Sequence, residues 1–393
     1  MQSESSETDT RLSLRNPEER RALAEEAVAL HYDDEPALAQ RYGPAGRAKC
    51  VQDAAYHLAY LDEAVASGAP ALFLAYLDWV RSLLQGLGVP EADLRGQLAV
   101  LRRLTFPRLE HEVAHAADAI LDAALRAFEA PPRVPESFID PAAPLGELAE
   151  RYLAALIAGD RKRAAELVLA AVEAGTPVAD VYLEVIQRSQ REIGRLWQLS
   201  RISVGQEHFC TAASQAIIAR LYPHIFAAER AGRRLVAACV GGELHELGAR
   251  MVADFFEMAG WDTYYLGANV PAESVLEAIE TQRADVVGIS ATMVAHVDAV
   301  RRLVQGIRDD ARGRAVRILV GGYPFNLAGS LWQAVGADGS APDARAAVLA
   351  QADPETADLP QRQRGDGPQL GLVLDHQDAL KRQAGVPPRA APG

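Results

Sequence analysis

The hydrophobic positions of the first 130 residues recur in steps of three and four, with no alternating stretches. This is the period of an amphipathic helix, so residues 20–130 are predicted to form an all-α module. Its clearest helix is predicted over residues 71–87, because Pro70 suits a helix start and the segment GLGVP ends it. We expect residues 1–19, which are polar, to be disordered.

A proline-rich break separates this module from a second helical block. Residues 131–144 (PPRVPESFIDPAAP) contain five prolines. Proline cannot continue a helix, so this stretch is predicted to be an interdomain linker. Residues 145–230 again show the helical period and are predicted to form four helices, which is enough for a small bundle.

The pattern changes in the third block, residues 231–350. Short apolar runs alternate there with helical stretches, the runs being RLVAACV, TYYLGA, DVVGIS and RILVGG. Continuous apolar strands separated by helices indicate a parallel sheet built from right-handed βαβ units. The predicted fold is therefore an all-α module, a four-helix bundle and a doubly wound, flavodoxin-like α/β domain. Residues 351–393 are rich in Gln, Arg, Asp and Pro and are predicted to be mostly disordered.

Composition and charge exclude several classes of protein. The 393 residues are 49% hydrophobic, and 53 acidic against 40 basic residues give a net charge of −13. Such a surface repels nucleic acid and anionic membranes, so neither is expected as a partner. Cys50, Cys210 and Cys239 lack the spacing of a disulfide framework or a zinc site. No signal-peptide or membrane-span pattern is present, and we expect a cytoplasmic protein.

The residues of greatest chemical interest follow the predicted strands. They are Glu243, His245 and Gly248 after the first strand, Ser290 and Thr292 after the third, and Gly321 and Gly322 after the fourth. Ligands of doubly wound proteins bind at the carboxyl ends of the strands. A histidine there can bind a metal through one nitrogen and donate to a carboxylate through the other, while glycines leave a channel free of side chains. Taken singly, each feature is also common in ordinary α/β proteins.

In this order, the residues resemble the cobalamin-binding domain of methionine synthase, corrinoid methyl carriers and light-sensing cobalamin repressors. The signature is Asp/Glu-x-His-x-x-Gly, then Ser-x-Leu or similar, then Gly-Gly, and the match covers residues 234–350. The resemblance implies that His245 is the lower axial ligand of cobalt. It further implies that Glu243 and Ser290 form the hydrogen-bonded relay behind that ligand, and that the remaining positions line the channel for the displaced nucleotide tail: Gly248, Thr292, Gly321 and Gly322. Glu243 replaces the commoner Asp, and Thr292 stands where many relatives have Leu.

The second block contains Trp197, followed ten residues later by Glu207 and His208. This spacing resembles the helical cap of the light-sensing repressors. It implies that Trp197 packs on a 5′-deoxyadenosyl group, that Glu207 binds its ribose and that His208 lies near the corrin. Gln198 stands where those repressors have a second cobalt-binding histidine, so we do not expect a bis-histidine photoproduct formed in that way. The alternative is a buried tryptophan of the bundle beside a surface Glu-His pair.

The first block shows no winged helix-turn-helix pattern. Two of its predicted helices instead contain aromatic residues and histidine, flanked by arginine. Guanidinium groups bind propionates, and imidazole or hydroxyl groups meet ring nitrogens, so a biliverdin site is predicted from Arg47, His57, Tyr60 and Trp79. The same spacing is also typical of ordinary bundle packing.

The order of the three blocks resembles the photocobilins, bacterial photoreceptors that pair adenosylcobalamin with biliverdin. The resemblance implies a light sensor, not an enzyme, which signals by a light-dependent change in self-association and acts on a downstream protein partner. Two alternatives stay open. One is a corrinoid carrier that passes methyl groups between methyltransferases, and the other is a cobalamin-binding regulator whose first block is empty.

Overall fold

The computed structural model describes residues 13–226 and 228–352. The chain divides into two compact units, with the boundary between Pro132 and Arg133. Each unit has its own hydrophobic core and is described separately. No helix in the described ranges is long and apolar enough to cross a membrane.

The first unit is all-α, as predicted. Its helices are α1 (Pro17–Asp34), α2 (Ala37–Ala66), α3 (Ala71–Gly86), α4 (Glu91–Thr105) and α5 (His111–Arg126), with 3₁₀ turns at Phe106–Arg108 and Ala127–Glu129. Near its start α2 is kinked at Gly43, whose φ of 60° is left-handed, immediately before Pro44. Glycine adopts this conformation without a steric penalty, and the proline then continues the helix from its first turn.

The prediction of disorder over residues 1–19 was wrong for residues 13–19. Leu14 is buried, and the Asn16 side chain accepts hydrogen bonds from the backbone nitrogens of Glu18 and Glu19. An asparagine at this position satisfies amide groups that the first turn of a helix leaves free, so α1 begins directly after it. Residues 1–12 lie outside the described residues, as do residues 353–393 of the predicted tail.

The second unit begins with the proline-rich segment, which is held against a helix of the bundle. The backbone nitrogen of Phe138 donates to Glu192 at 3.0 Å, and the guanidinium of Arg195 donates to the Pro135 carbonyl at 3.2 Å. Glu192 and Arg195 are themselves a buried ion pair at 2.6 Å. The paired charges satisfy one another and also fix the path of the segment.

The bundle follows this segment. Its helices are α6 (Gly146–Ile157), α7 (Arg161–Glu173), α8 (Val178–Asp180), a π-helical segment (Val181–Gln187), α9 (Arg188–Gln198), α10 (Val204–Arg220) and the short α11 (Tyr222–Ile225). The backbone stays helical from α8 through the π-helical segment into α9. The described bundle therefore has four long helical segments: α6, α7, the continuous run from α8 to α9, and α10. Helix α10 begins at a capping box formed by Ser203 and Gln206.

The α/β domain completes the second unit. Its elements are β1 (Arg234–Val240), α12 (Leu247–Met258), β2 (Asp262–Val270), α13 (Ala272–Gln282), β3 (Val286–Ser290), α14 (Val297–Asp309), β4 (Arg317–Gly321), α15 (Tyr323–Leu327), α16 (Leu331–Ala334), β5 (Gly339–Ser340) and α17 (Ala344–Ala352). A 3₁₀ turn, Val294–His296, precedes α14. The strands are parallel in the order β2-β1-β3-β4-β5, which confirms the predicted flavodoxin-like sheet.

This strand order positions the functional residues. Because β1 and β4 both pair with β3, Ser290 at the end of β3 is aligned with Cys239 on one side and Gly321 on the other. The segments that follow β1, β3 and β4 therefore meet at one edge of the sheet. Strand β5 was not predicted from the sequence, because two residues are too few to give a hydrophobic pattern.

Candidate functional site

The centre of this edge is the loop between β1 and α12, which contains Glu243 and His245. The Glu243 side chain is wholly buried. Its Oε1 atom accepts hydrogen bonds from the backbone nitrogen of His245 at 2.9 Å and from Nδ1 of the same residue. An ionised carboxylate can only accept, so Nδ1 of His245 carries a proton, and in the neutral imidazole Nε2 then has a lone pair.

That Nε2 atom is buried, and among the residues the structure describes it has no hydrogen-bond partner. A buried polar atom without a partner normally costs about 1–3 kcal/mol, so one that is retained needs an explanation. An imidazole whose other nitrogen donates to a carboxylate is oriented and made more basic for binding a metal. His245 therefore has the properties of a metal ligand supplied with its supporting carboxylate.

The second oxygen of Glu243 ties the loop to the segment after β3. Its Oε2 accepts from the backbone nitrogens of Thr292 (2.7 Å) and Met293 (3.1 Å) and from Nδ1 of His296 (3.0 Å). Burial by itself raises the pKa of Glu243, but the hydrogen bonds from His245 and His296 outweigh it and hold this pKa well below its ordinary value. Glu243 is therefore a carboxylate.

Ser290, predicted as part of the relay, has a different contact. Its hydroxyl hydrogen-bonds with the thiol of Cys239, whose pKa burial raises to about 12. His296 and the two backbone nitrogens occupy the positions beside Glu243 Oε2. A relay through Ser290 stays a prediction.

The glycines at this edge are present for different structural reasons. A Cβ atom on Gly248 or Gly321 would meet nothing within 4 Å, so the protein's own packing does not demand glycine there. Gly322 has a φ of 110°, and its Cβ would lie 2.0 Å from the Ala291 carbonyl oxygen, so its backbone requires glycine. The open space at Gly248 and Gly321 leaves room for a ligand, and the lining of a tail channel by these residues and Thr292 stays a prediction.

Asn269 was missed by the sequence analysis. Its side-chain oxygen accepts from the backbone nitrogen of Gly242 at 2.7 Å, and its own backbone nitrogen donates to the Glu243 carbonyl at 2.9 Å. Its φ of 51° is left-handed, a conformation in which asparagine is enriched. A left-handed asparagine inside β2 has no hydrophobic signal, although it clamps the loop that carries His245.

The bundle brings Glu207 and His208 together at the start of α10. Nδ1 of His208 lies 2.8 Å from Glu207 Oε2, and the Thr211 hydroxyl donates to Glu207 Oε1 at 2.8 Å. Glu207 is buried, whereas nearly half of the His208 side chain is exposed. Trp197, at the end of α9, is buried. Packing of Trp197 on an upper ligand stays a prediction.

Behind Glu207 a chain of polar side chains crosses the bundle. The Thr211 hydroxyl lies 3.1 Å from the Gln190 amide, which lies 2.6 Å from the Ser214 hydroxyl, and this in turn lies 2.8 Å from the hydroxyl of Tyr152. The chain connects α10, α9 and α6. Such networks fix the positions of their members because each unsatisfied group is costly.

The bundle also contacts the α/β domain next to the histidine loop. Gln215 of α10 donates to Glu246 at 2.9 Å, and Tyr182 of the π-helical segment donates to Asp254 of α12 at 2.8 Å. Glu246 directly follows His245 in the chain. The bundle is therefore anchored beside the site.

The structure does not gather the four predicted biliverdin residues into one open site. His57 is buried with both nitrogens engaged, Nδ1 with the Tyr76 hydroxyl at 2.8 Å and Nε2 with Gln97 at 3.2 Å. Tyr60 is buried and stacks on Tyr76 at 3.8 Å between centroids, and Trp79 is also buried. Arg47 is exposed, over the ring of Tyr32. Tyr60, Tyr76 and Trp79 pack in the core of this unit.

The fold and this site are similar to those of cobalamin-binding domains. Residues 233–349 match the family model described as "B12 binding domain", and residues 148–222 match a second model of the same description. The second match covers most of the bundle. The partnerless Nε2 of His245 and the open space at Gly248 and Gly321 fit a corrinoid bound at the sheet edge.

Among characterised proteins, the chain is similar to corrinoid proteins. It is 26% identical over 187 residues to dimethylamine corrinoid protein 3 of Methanosarcina acetivorans, covering 47% of this chain and 87% of that one. It is 25% identical over 199 residues to a corrinoid protein of Desulfitobacterium hafniense, covering 49% and 91%. A solved monomethylamine corrinoid protein of Methanosarcina barkeri superposes with a TM-score of 0.48 at 20% identity, covering 53% of this chain and all of that one.

Proposed function

We propose that this protein is a corrinoid carrier that presents a cobalt-bound methyl group to partner methyltransferases and is not itself the catalyst. The observation that carries the proposal is the buried Nε2 of His245, which has no hydrogen-bond partner among the described residues. His245 directly precedes Glu246, which is a contact of the bundle. The corrinoid relatives support it, because the similarity extends over most of their length. We propose the cytoplasm as the location of such a carrier.

Residues of the α/β domain and of the bundle would have different roles toward a bound corrinoid. His245 Nε2 would bind the cobalt, and Glu243 holds its ring in the required tautomer. Glu207, His208 and Trp197 supply polar groups and an apolar wall on the bundle side. A bound cobalamin would supply a metal that takes up and releases an alkyl group.

The first experiment tests ligation by His245. The full-length apoprotein, with histidine labelled by nitrogen-15, is mixed with cobalamin, and the paramagnetic cobalt(II) form is examined for coupling to nitrogen-15, which distinguishes a histidine from the nucleotide base of the cofactor. We expect the coupling in the wild type and its loss in His245→Ala, with affinity lowered at least about tenfold. The matched control is His115→Ala, an exposed histidine of the first unit, which should behave as the wild type. Unchanged coupling in His245→Ala would contradict the assignment.

A second candidate function is a light sensor that uses adenosylcobalamin, with biliverdin in the first unit and a change in self-association as output. The observation that favours it is the position of Glu207, which Thr211 holds near the start of α10, at the spacing from Trp197 that the repressor cap implies. The burial of Trp197 is equally expected of an ordinary bundle tryptophan. The two engaged nitrogens of His57 give the biliverdin part no support.

The two functions are separated by one comparison in the dark and after green light. Retention of methylcobalamin but not adenosylcobalamin, with transfer of the methyl group to an added methyltransferase, supports the carrier. Retention of adenosylcobalamin, with an elution volume that changes on illumination, supports the sensor. A far-red absorption band after biliverdin is added would support the second pigment.

A further inference from the structure

Glu243 is shared by two imidazoles. His245 donates to Oε1 and His296 donates to Oε2, each through Nδ1. With the backbone nitrogens of His245, Thr292 and Met293, the carboxylate accepts five hydrogen bonds. Since the carboxylate is ionised and accepts only, both rings carry their proton on Nδ1.

The two rings have different surroundings. His245 Nε2 is the buried atom without a partner, whereas His296 lies across from Gly242, where an added Cβ would be 3.3 Å from its Nε2. His296 is the last residue of the 3₁₀ turn before α14, so its position is set by the segment after β3. It reaches Glu243 because β3 pairs directly with β1.

The hydrogen bond from His296 affects the strength of the hydrogen bond between Glu243 and His245. Hydrogen bonds to one oxygen of a carboxylate draw negative charge toward that oxygen and make the other a weaker acceptor. A weaker bond at His245 Nδ1 leaves Nε2 a poorer electron donor.

We propose that His296 is a positioning residue that moderates the lower ligand: through Glu243 it limits the donor strength of His245 and fixes the histidine loop against the segment after β3. A ligand of limited strength binds the cobalt and still dissociates from it, as a carrier that takes up and gives up a methyl group requires. This functional meaning rests on the proposed cobalamin carrier, whereas the contact itself does not.

The test uses full-length apoprotein with histidine labelled by nitrogen-15, so that it needs no cofactor. His296→Leu removes the Nδ1 donor while Thr292 and Met293 continue to satisfy Oε2. We expect the Nδ1 proton of His245 to move downfield, which reports a stronger bond to Glu243. His296→Asn places an amide donor near the position of Nδ1 and is the matched control, expected to keep the wild-type shift.

Three outcomes would overturn the proposal: no shift in His296→Leu, an upfield shift, or an equal shift in His296→Asn, which would make the effect one of packing. With cobalamin added, His296→Leu should increase the fraction of cobalt(II) that shows coupling to nitrogen-15 of histidine, and His296→Asn should not. Failure of cobalamin to bind would count against the proposed function and leave the apoprotein result to decide the role of His296.

Discussion

Asp254 is a carboxyl group buried between the bundle and the α/β domain, where it accepts a hydrogen bond from Tyr182. Burial raises its pKa from 3.8 to about 6, against the opposing effects of Tyr182 and Arg250. The folded protein therefore binds the proton more readily than the unfolded chain between about pH 4 and pH 6. This contribution to stability is present at low pH and is lost as the pH rises through about 6.

The variant Asp254→Asn should remove this loss of folding stability at high pH. The amide keeps an oxygen to accept from Tyr182 and carries no charge, so we expect the second unit to gain up to about 3 kcal/mol at pH 8. At pH 5 the group is mostly protonated in the folded protein but already ionised in the unfolded chain, so the gain should be about half as large. Urea unfolding at the two pH values measures this difference, and an equal gain at both would show that the charge of Asp254 is not the cause.

His245 and His296 show how far single residues were predictable. The motif Glu-x-His-x-x-Gly directly follows an apolar strand, so the position of His245 at the sheet edge could be predicted from the sequence. His296 lies in no motif that the sequence analysis used, and it meets Glu243 only because β3 is the neighbour of β1. Contacts of this kind depend on strand order, which the hydrophobic pattern of one segment does not contain.

At the scale of elements, helix α10 combines two functions. Its first turns carry Glu207, His208 and Thr211, and further along Gln215 contacts Glu246 beside the histidine loop. The polar chain through Gln190 to Tyr152 fixes this helix against α9 and α6. The position of Glu207 is therefore a property of the whole bundle.

The variant Thr211→Val tests whether the polar chain of the bundle positions Glu207. The substitution keeps the branched shape and removes the hydroxyl, which leaves Glu207 and Gln190 each without one partner. We expect a loss of about 1–3 kcal/mol in unfolding free energy and weaker retention of adenosylcobalamin relative to methylcobalamin. Thr211→Ser, which keeps the hydroxyl, should restore both. If valine and serine gave the same ratio of retained cofactors, Thr211 would not position Glu207.

The aromatic residues of the first unit illustrate what the pattern of an element cannot decide. Tyr60 and Trp79 recur at helical spacing, which indicates one face of a helix and leaves open whether that face binds a ligand or packs in the core. The stacking of Tyr60 on Tyr76 and the two hydrogen bonds of His57 show core packing. The hydrophobic period thus predicted the helices correctly, and the biliverdin assignment depended on information it does not hold.

At the scale of the whole molecule, the two units are expected to respond differently to cobalamin. A ligand stabilises the unit that binds it, by about 2.7 kcal/mol at one hundred times the dissociation constant. Hydrogen exchange measured by mass spectrometry should therefore slow in residues 133–352 and stay unchanged in residues 13–132. Equal slowing in both would show that the first unit also takes part in binding.

The ion pair of Glu192 and Arg195 couples the proline-rich segment to helix α9. Arg195 holds the Pro135 carbonyl, Glu192 holds the Phe138 amide, and Trp197 follows two residues later on the same helix. A rotation of α9 that displaces the indole would therefore also displace residues 135–138. The segment predicted as an interdomain linker is thus coupled to α9 near the residue at which the second unit begins.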